Sequence, residues 1–175
     1  MWKRCRWSES ALCAVALIAV FLAAMPSFAQ TKVKYATAKN PEAASVERGR
    51  YLAKTAGCND CHTAGYMPSA GKVPESAWLK GDTLGWNGPW GTTYAPNLRI
   101  FMSKLTEEQW VRFAQTAELR PPMPWFALRD MTEADQRSLY RFVRSLGAAG
   151  EPAPAYLPPG QAPTGPFVSF PAPPK

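Results

Sequence analysis

The sequence predicts an all-α domain with about three to four main helices, joined by long loops rich in glycine, proline and tryptophan. Apolar side chains recur at helical spacing in three separate segments. Two of these segments follow a threonine that stands three residues before a glutamine or an aspartate, the pattern of a capping box at a helix start. The alternation of strand and helix patterns that is typical of α/β proteins is missing.

Start and stop signals bound the three helices. Their predicted ranges are residues 45–56, 106–117 and 132–146. Gly57 and Gly147 follow the first and the last, as glycine often does at a helix C-terminus. Gly49 lies inside the first helix, where glycine costs about 1 kcal/mol relative to alanine, so we expect another helix to approach it closely.

The last helix is strongly amphipathic. We expect it to bury one apolar stripe and to turn its arginines to water or to the helix C-terminus. The stripe is Leu139, Phe142, Val143 and Leu146, and the arginines are Arg137, Arg141 and Arg144.

The segments that flank this helical part differ from it in composition. We predict a signal peptide over residues 1–29, a flexible arm over 30–44, the helical domain over 45–147 and a Pro-rich extended tail over 148–175. The first segment has three basic residues, then fifteen apolar residues from Ala11 to Met25, then small residues up to Ala29. Because a bilayer span needs roughly 20 apolar residues, we expect cleavage after Ala29, a periplasmic location and no stable membrane span afterwards. An uncleaved signal would leave the protein membrane-anchored.

The run from Cys58 to His62 reads C-x-x-C-H. In an exported protein this pattern is the attachment site of a covalent haem c, one per chain here. The two sulfurs of Cys58 and Cys61 add to the haem vinyl groups, and the imidazole of His62 ligates the iron. Two intervening residues let one helical turn present both sulfurs to one edge of the porphyrin.

Three other interpretations of these cysteines are weaker. A thioredoxin-like dithiol belongs in a βαβ pattern, which is missing. A zinc site needs two further Cys or His ligands, yet His62 is the sole histidine and Cys5 and Cys13 lie in the predicted signal peptide. A structural disulfide would not explain the adjacent histidine.

Residues 63–99 lack any helical period and are rich in Gly, Pro and Trp, as suits a loop that covers a ligand. The predicted haem-pocket aromatics are Trp78, Trp86, Trp90, Tyr94 and Trp125, although each could equally fill the core. Their N–H and O–H groups could donate to haem propionates or to backbone. A ligating histidine also needs a partner on its other ring nitrogen, and the carbonyl of Pro96 is our candidate acceptor.

Met123 is the predicted sixth ligand of the iron. Prolines on both sides stiffen the backbone there and block a helix, and methionine opposite histidine raises the haem potential. Met67, in the haem-side loop, is the rival. Met102 and Met131 are interpreted as core residues, since methionine commonly fills cores. An open sixth position is the remaining alternative.

In these features the chain resembles class I c-type cytochromes, monohaem and periplasmic, over about residues 45–147. Residues 46–52 look like that family's first helix, where a glycine and an aromatic cross the last helix. The resemblance implies a cytochrome c fold around one covalent haem, with the Pro96 carbonyl bonded to His62 and Met123 as distal ligand. The Trp-rich segment from Gly85 to Tyr94 is similar to one in cytochrome subunits of bacterial alcohol and gluconate dehydrogenases, which typically carry three haem motifs.

The sequence thus predicts a non-enzymatic carrier of single electrons, because the one histidine is committed to iron and no second imidazole is left for acid–base catalysis. The net charge of +7 stays positive without the signal segment and suits acidic redox partners, with a periplasmic dehydrogenase or a terminal oxidase as candidates. No basic run is dense enough to indicate nucleic-acid binding. The alternatives are a subunit docked on a periplasmic dehydrogenase and a haem-based small-ligand sensor with an open sixth position.

Overall fold

The computed structural model describes residues 41–171. The predicted signal peptide and most of the predicted arm lie outside them. The described helices are α1 (Pro41–Thr55), α2 (Cys58–His62), α3 (Leu98–Ser103), α4 (Glu107–Thr116), α5 (Trp125–Arg129) and α6 (Glu133–Ser145), with a 3₁₀ turn at Glu75–Ala77. The strands are β1 (Gly85–Gly88), β2 (Gly91–Tyr94) and β3 (Phe167–Ser169).

The prediction of an all-α fold is wrong, because the structure is mixed α and β, with six described helices and a three-stranded sheet. β1 and β2 form an antiparallel hairpin within the Trp-rich segment, and β3 pairs with β1 in parallel, which makes the strand order β2-β1-β3. The strands hold only three or four residues each. Runs of three or four residues are too short to show an alternating pattern, so sequence periodicity could not reveal them.

The three predicted helices are present as α1, α4 and α6, and the first begins earlier than expected, at Pro41. α1 packs against α6 at Gly49, which is buried. A Cβ built on Gly49 would overlap the Ser138 carbonyl oxygen and lie 2.6 Å from Cβ of Phe142. The close helix approach expected at this glycine is therefore what the structure has.

The two predicted capping boxes differ. The Thr106 box is complete: Oγ1 of Thr106 accepts from Gln109 N at 3.2 Å, and Oε1 of Gln109 accepts from Thr106 N at 2.8 Å. At α6 only half of the box forms, since Thr132 accepts from Asp135 N. The Asp135 carboxylate instead accepts from Arg48 of α1, with Nε to Oδ1 at 2.8 Å.

The arginines of α6 were expected to face water or the helix C-terminus, and two of them instead bind Glu107 at the start of α4. Nη1 of Arg137 lies 2.9 Å from Oε1 of Glu107, and Nη2 of Arg141 lies 2.8 Å from the same oxygen. The C-terminus of α6 is capped by Arg99 of α3, which donates to the carbonyls of Leu146 and Gly147. These pairings join α3, α4 and α6 around one core.

The Pro-rich tail lies along the hairpin, and we call residues 151–171 the strap. Leu157 of the strap exchanges two backbone hydrogen bonds with Thr92, at 2.8 and 3.1 Å. Further along, the tail is extended as expected at Phe167–Ser169, and these three residues pair with β1 as β3 on the edge of the sheet, a pairing that was not predicted. Within residues 41–171, no helix is both long enough and apolar enough to cross a bilayer.

Candidate functional site

A cavity of about 420 Å³ opens at α2 and extends between the hairpin, α4, α5 and the strap. Its volume lies within the roughly 300–1,000 Å³ of small-molecule and cofactor sites, and its wall is mostly apolar. Seven of the predicted site residues line it: Cys58, Cys61, His62, Trp86, Tyr94, Pro96 and Met123. The tertiary structure thus brings together residues that are spread over 66 positions of the sequence, from Cys58 to Met123.

α2 presents the motif to this cavity. Gly57 precedes it with a φ of 76°, a backbone conformation that glycine adopts without strain, and this turn separates α2 from α1. Both cysteines are free and partly buried. Burial raises the pKa of the Cys58 thiol to about 11 and raises the pKa of Cys61 as well. Reactive dithiols have lowered pKa values, so the pair lacks the character of a thioredoxin-like site.

The imidazole of His62 is held by one hydrogen bond. Its Nδ1 lies 2.8 Å from the carbonyl oxygen of Pro96. A carbonyl can only accept, so Nδ1 carries the hydrogen and Nε2 keeps its lone pair. Burial lowers the pKa of His62, which favours the neutral ring that ligates metals. This is the pairing that we expected from the sequence.

A close backbone approach positions Pro96. Gly81 has a φ of +81°, and its N–H donates to the His62 carbonyl at 2.8 Å. A Cβ on Gly81 would lie 2.8 Å from Asn97 N and 2.9 Å from the Ala95 oxygen. The strand-like contact between Gly81 and Thr63 completes this arrangement. The segment on both sides of Pro96 is therefore packed directly against the end of the C-x-x-C-H run.

The methionines separate into three environments. Met123 lines the cavity, whereas its rival Met67 is 49 % exposed and does not. Met102 is fully buried in the core, as expected. Met131, which was interpreted as a core residue, packs on the core and also lines the cavity. Two thioethers, of Met123 and Met131, are thus available to the site.

Two polar side-chain atoms on the cavity wall are buried without a partner among the described residues. They are Nε1 of Trp86 and Oγ1 of Thr93. Buried donors are normally hydrogen-bonded, and a haem carries two propionate carboxylates that can accept. The apolar wall, the paired thiols, the oriented imidazole and these two donors together fit a covalently attached haem.

Three predicted pocket aromatics lie elsewhere. Trp90 packs on Phe170 of the strap, with ring centroids 5.4 Å apart. Trp78 is buried in the core and donates from Nε1 to the Val73 carbonyl at 2.8 Å. Trp125 begins α5 and does not line the cavity. None of the three lines the cavity.

Several lining residues were not predicted. They include Thr93, Phe101, Trp110, Phe113, Leu128, Met131, Leu139, Arg120, Pro154 and Tyr156. Trp110, Phe113 and Leu139 carry a signal in the sequence, since each lies on the apolar face of its helix, but such a face does not distinguish core from cavity. Tyr156, an aromatic residue in a proline-rich tail, indicated an anchoring point but not where it binds, and Pro154 carried no signal, because both reach the site only through the path of the strap.

Within residues 41–171, no three His, Cys, Asp or Glu side chains cluster in a way that could hold a bare metal ion. A scan of protein-family models and searches of curated proteins and of solved structures each return no match to this chain.

Proposed function

We propose that the protein is a periplasmic monohaem c-type cytochrome that carries single electrons between redox protein partners. The observation that carries the proposal is the position of the C-x-x-C-H helix on a largely apolar cavity, with Nδ1 of His62 bonded to the Pro96 carbonyl and Met123 on the same wall. The partner class remains as the sequence predicts, with a periplasmic dehydrogenase or a terminal oxidase as candidates.

The residues would hold the haem in complementary ways. Cys58 and Cys61 would form two thioether bonds, each by addition of S–H across a vinyl group. The Pro96 carbonyl keeps Nε2 of His62 as the ligand atom and makes the ring more basic. Trp86 and Thr93 would donate to the propionates, which removes the cost of leaving two buried donors unpaired.

When bound, the haem supplies an iron that gains and loses one electron. The chain would set the conditions of that exchange: a thioether from Met123 would favour the reduced state and raise the potential, and the apolar wall would disfavour extra charge on the iron. No proton needs to move, in keeping with a single histidine that is held by Pro96.

The test is to express the full chain in a host with the haem-attachment machinery and to purify it from the periplasm. We expect a mass increase of one haem that survives denaturation, and a near-infrared band of methionine-to-iron ligation in the oxidised protein. Cys58→Ala with Cys61→Ala should abolish covalent attachment.

The ligand assignment needs a matched pair of variants, because two methionines line the cavity. Met123→Leu should remove the near-infrared band, and Met131→Leu should keep it. Loss of the band only in Met131→Leu would transfer the ligand role to Met131. Bound haem without the band in the wild type would instead favour an open sixth position and a ligand-binding role.

A further inference from the structure

The loop of residues 117–124, here called the methionine loop, carries Met123 and has few polar ties. Three of its residues are prolines, which lack a backbone N–H. Among the described residues its backbone bonds are local, with Met123 N to Arg120 O at 3.3 Å and Trp125 N to Met123 O at 2.9 Å. The backbone alone therefore does not fix this loop to the hairpin or to the strap.

Tyr156 of the strap makes a side-chain contact that joins this loop to the strap. The guanidinium carbon of Arg120 lies 3.9 Å from the centroid of the Tyr156 ring, a close cation–π contact. Both residues line the cavity, and Arg120 stands three positions before Met123. The contact thus joins the strap to the loop that holds the thioether.

The Tyr156 ring is itself held in place from the hairpin side. Its hydroxyl donates to the Trp90 carbonyl at 2.7 Å, and the next residue, Leu157, is bonded twice to Thr92. A Cβ on Gly91, whose φ is +98°, would overlap the Leu157 carbonyl, so the strap crosses the hairpin at close range. Arg120 therefore rests on a ring that cannot easily move.

We propose that Tyr156 is a positioning residue for the sixth ligand: through Arg120 it holds the methionine loop closed over the cavity. The inference rests on the proposed function, since it presumes that Met123 ligates iron. It gives the Pro-rich segment a role of its own, separate from covalent attachment of haem at the C-x-x-C-H motif. Contact of Met123 with the hydrophobic core acts in the same direction, and Tyr156 adds to it from outside the core.

The test compares the affinity of the ferric holoprotein for imidazole, which must displace the methionine in order to bind. Tyr156→Leu and Arg120→Gln should each raise this affinity about threefold, which corresponds to about 0.7 kcal/mol, the size of a cation–π contact with an exposed arginine. The double variant should also show about threefold, because both changes remove one contact. Arg144→Gln is the matched control, since it removes a cation–π contact with Tyr140, a residue that does not line the cavity; it should match the wild type.

The outcomes separate the two proposals. A wild type without covalent haem or without the methionine band defeats the proposed function and this inference with it. A wild type with the band whose affinity is unchanged in Tyr156→Leu and Arg120→Gln defeats only the inference.

If Tyr156→Leu fails to fold, Arg120→Gln still tests the inference by itself. Arg120 is exposed, so we expect this variant to fold. A positioning role raises imidazole affinity and leaves the pH dependence of the reduction potential unchanged. If Arg120 instead contacts the haem carboxylates, that pH dependence changes, and the role assigned to Tyr156 is overturned.

Discussion

Substitution of Gly81 by alanine should damage both stability and the site. Gly81 and Gly65 have nearly the same backbone conformation, with φ of +81° and +73°. Alanine at either position therefore incurs a similar cost, about 1–2 kcal/mol, for a left-handed conformation. Gly65 has nothing within 4 Å of an added Cβ, whereas at Gly81 the Cβ would meet backbone atoms of Ala95 and Asn97. Overpacking against backbone costs a further 1–3 kcal/mol or so.

We thus expect Gly81→Ala to lower the free energy of unfolding by about 2–5 kcal/mol, and Gly65→Ala by about 1–2 kcal/mol, in urea titrations of the holoprotein. Because the overlapped atoms flank Pro96, whose carbonyl accepts from His62, only Gly81→Ala should also alter the spectrum of the haem that we propose His62 to ligate. Equal losses in the two variants, within about 0.5 kcal/mol, together with unchanged spectra would refute the steric reasoning.

Three further predictions concern helix packing at Gly49, the pH dependence of stability, and the buried hydroxyl of Thr93, which has no hydrogen-bond partner among the described residues. Gly49→Ala should lower the free energy of unfolding by about 1–3 kcal/mol, because the added Cβ overlaps the Ser138 carbonyl. The melting temperature should fall with it in spite of alanine's better helix propensity, and a rise in melting temperature would contradict the packing. The hydrogen bonds from Arg141 and Arg137 hold the pKa of Glu107 below its usual 4.5, so its contribution is present above about pH 4.5 and is lost as pH falls through the lowered value. Glu107→Gln should lower the free energy of unfolding at pH 7 and make that free energy fall less steeply on acidification. A free energy of unfolding that falls with pH in parallel to that of the wild type would exclude this role for Glu107. Thr93→Val would remove the buried hydroxyl that we propose to donate to a haem propionate. It should therefore raise the propionate pKa seen in the pH dependence of the reduction potential, and an unchanged profile would place the carboxylates elsewhere.

Local signals made the helices predictable. Thr106 and Gln109 are three residues apart, and their hydrogen bonds form within the first turn of α4. Gly49 is unfavourable in an isolated helix, so its presence indicated the close approach of α6. A prediction from a local signal failed where a residue far along the chain bound the same group. Asp135 was expected to complete a helix cap, but its carboxylate accepts from Arg48, 87 residues away.

The sheet was not predictable from periodicity, since each strand is too short to show an alternation and β3 comes from a proline-rich segment far along the chain from β1. The same limit applies to the cavity. Met131 and Tyr156 reach its wall through the paths of α5 and the strap, and apolar or aromatic character alone does not say whether a residue faces the core or a ligand.

The sequence by itself determined the local arrangement of two sulfurs and one imidazole, because C-x-x-C-H is a contiguous run whose spacing sets their relative positions within a single turn. It also determined the three longest helices, whose caps and apolar stripes act over a few residues. Only the tertiary structure decided which methionines share the cavity with His62, which buried donors on its wall lack a partner, and where the strap runs. Those relations depend on contacts between segments far apart in the chain, and such contacts follow from the packing of the whole domain.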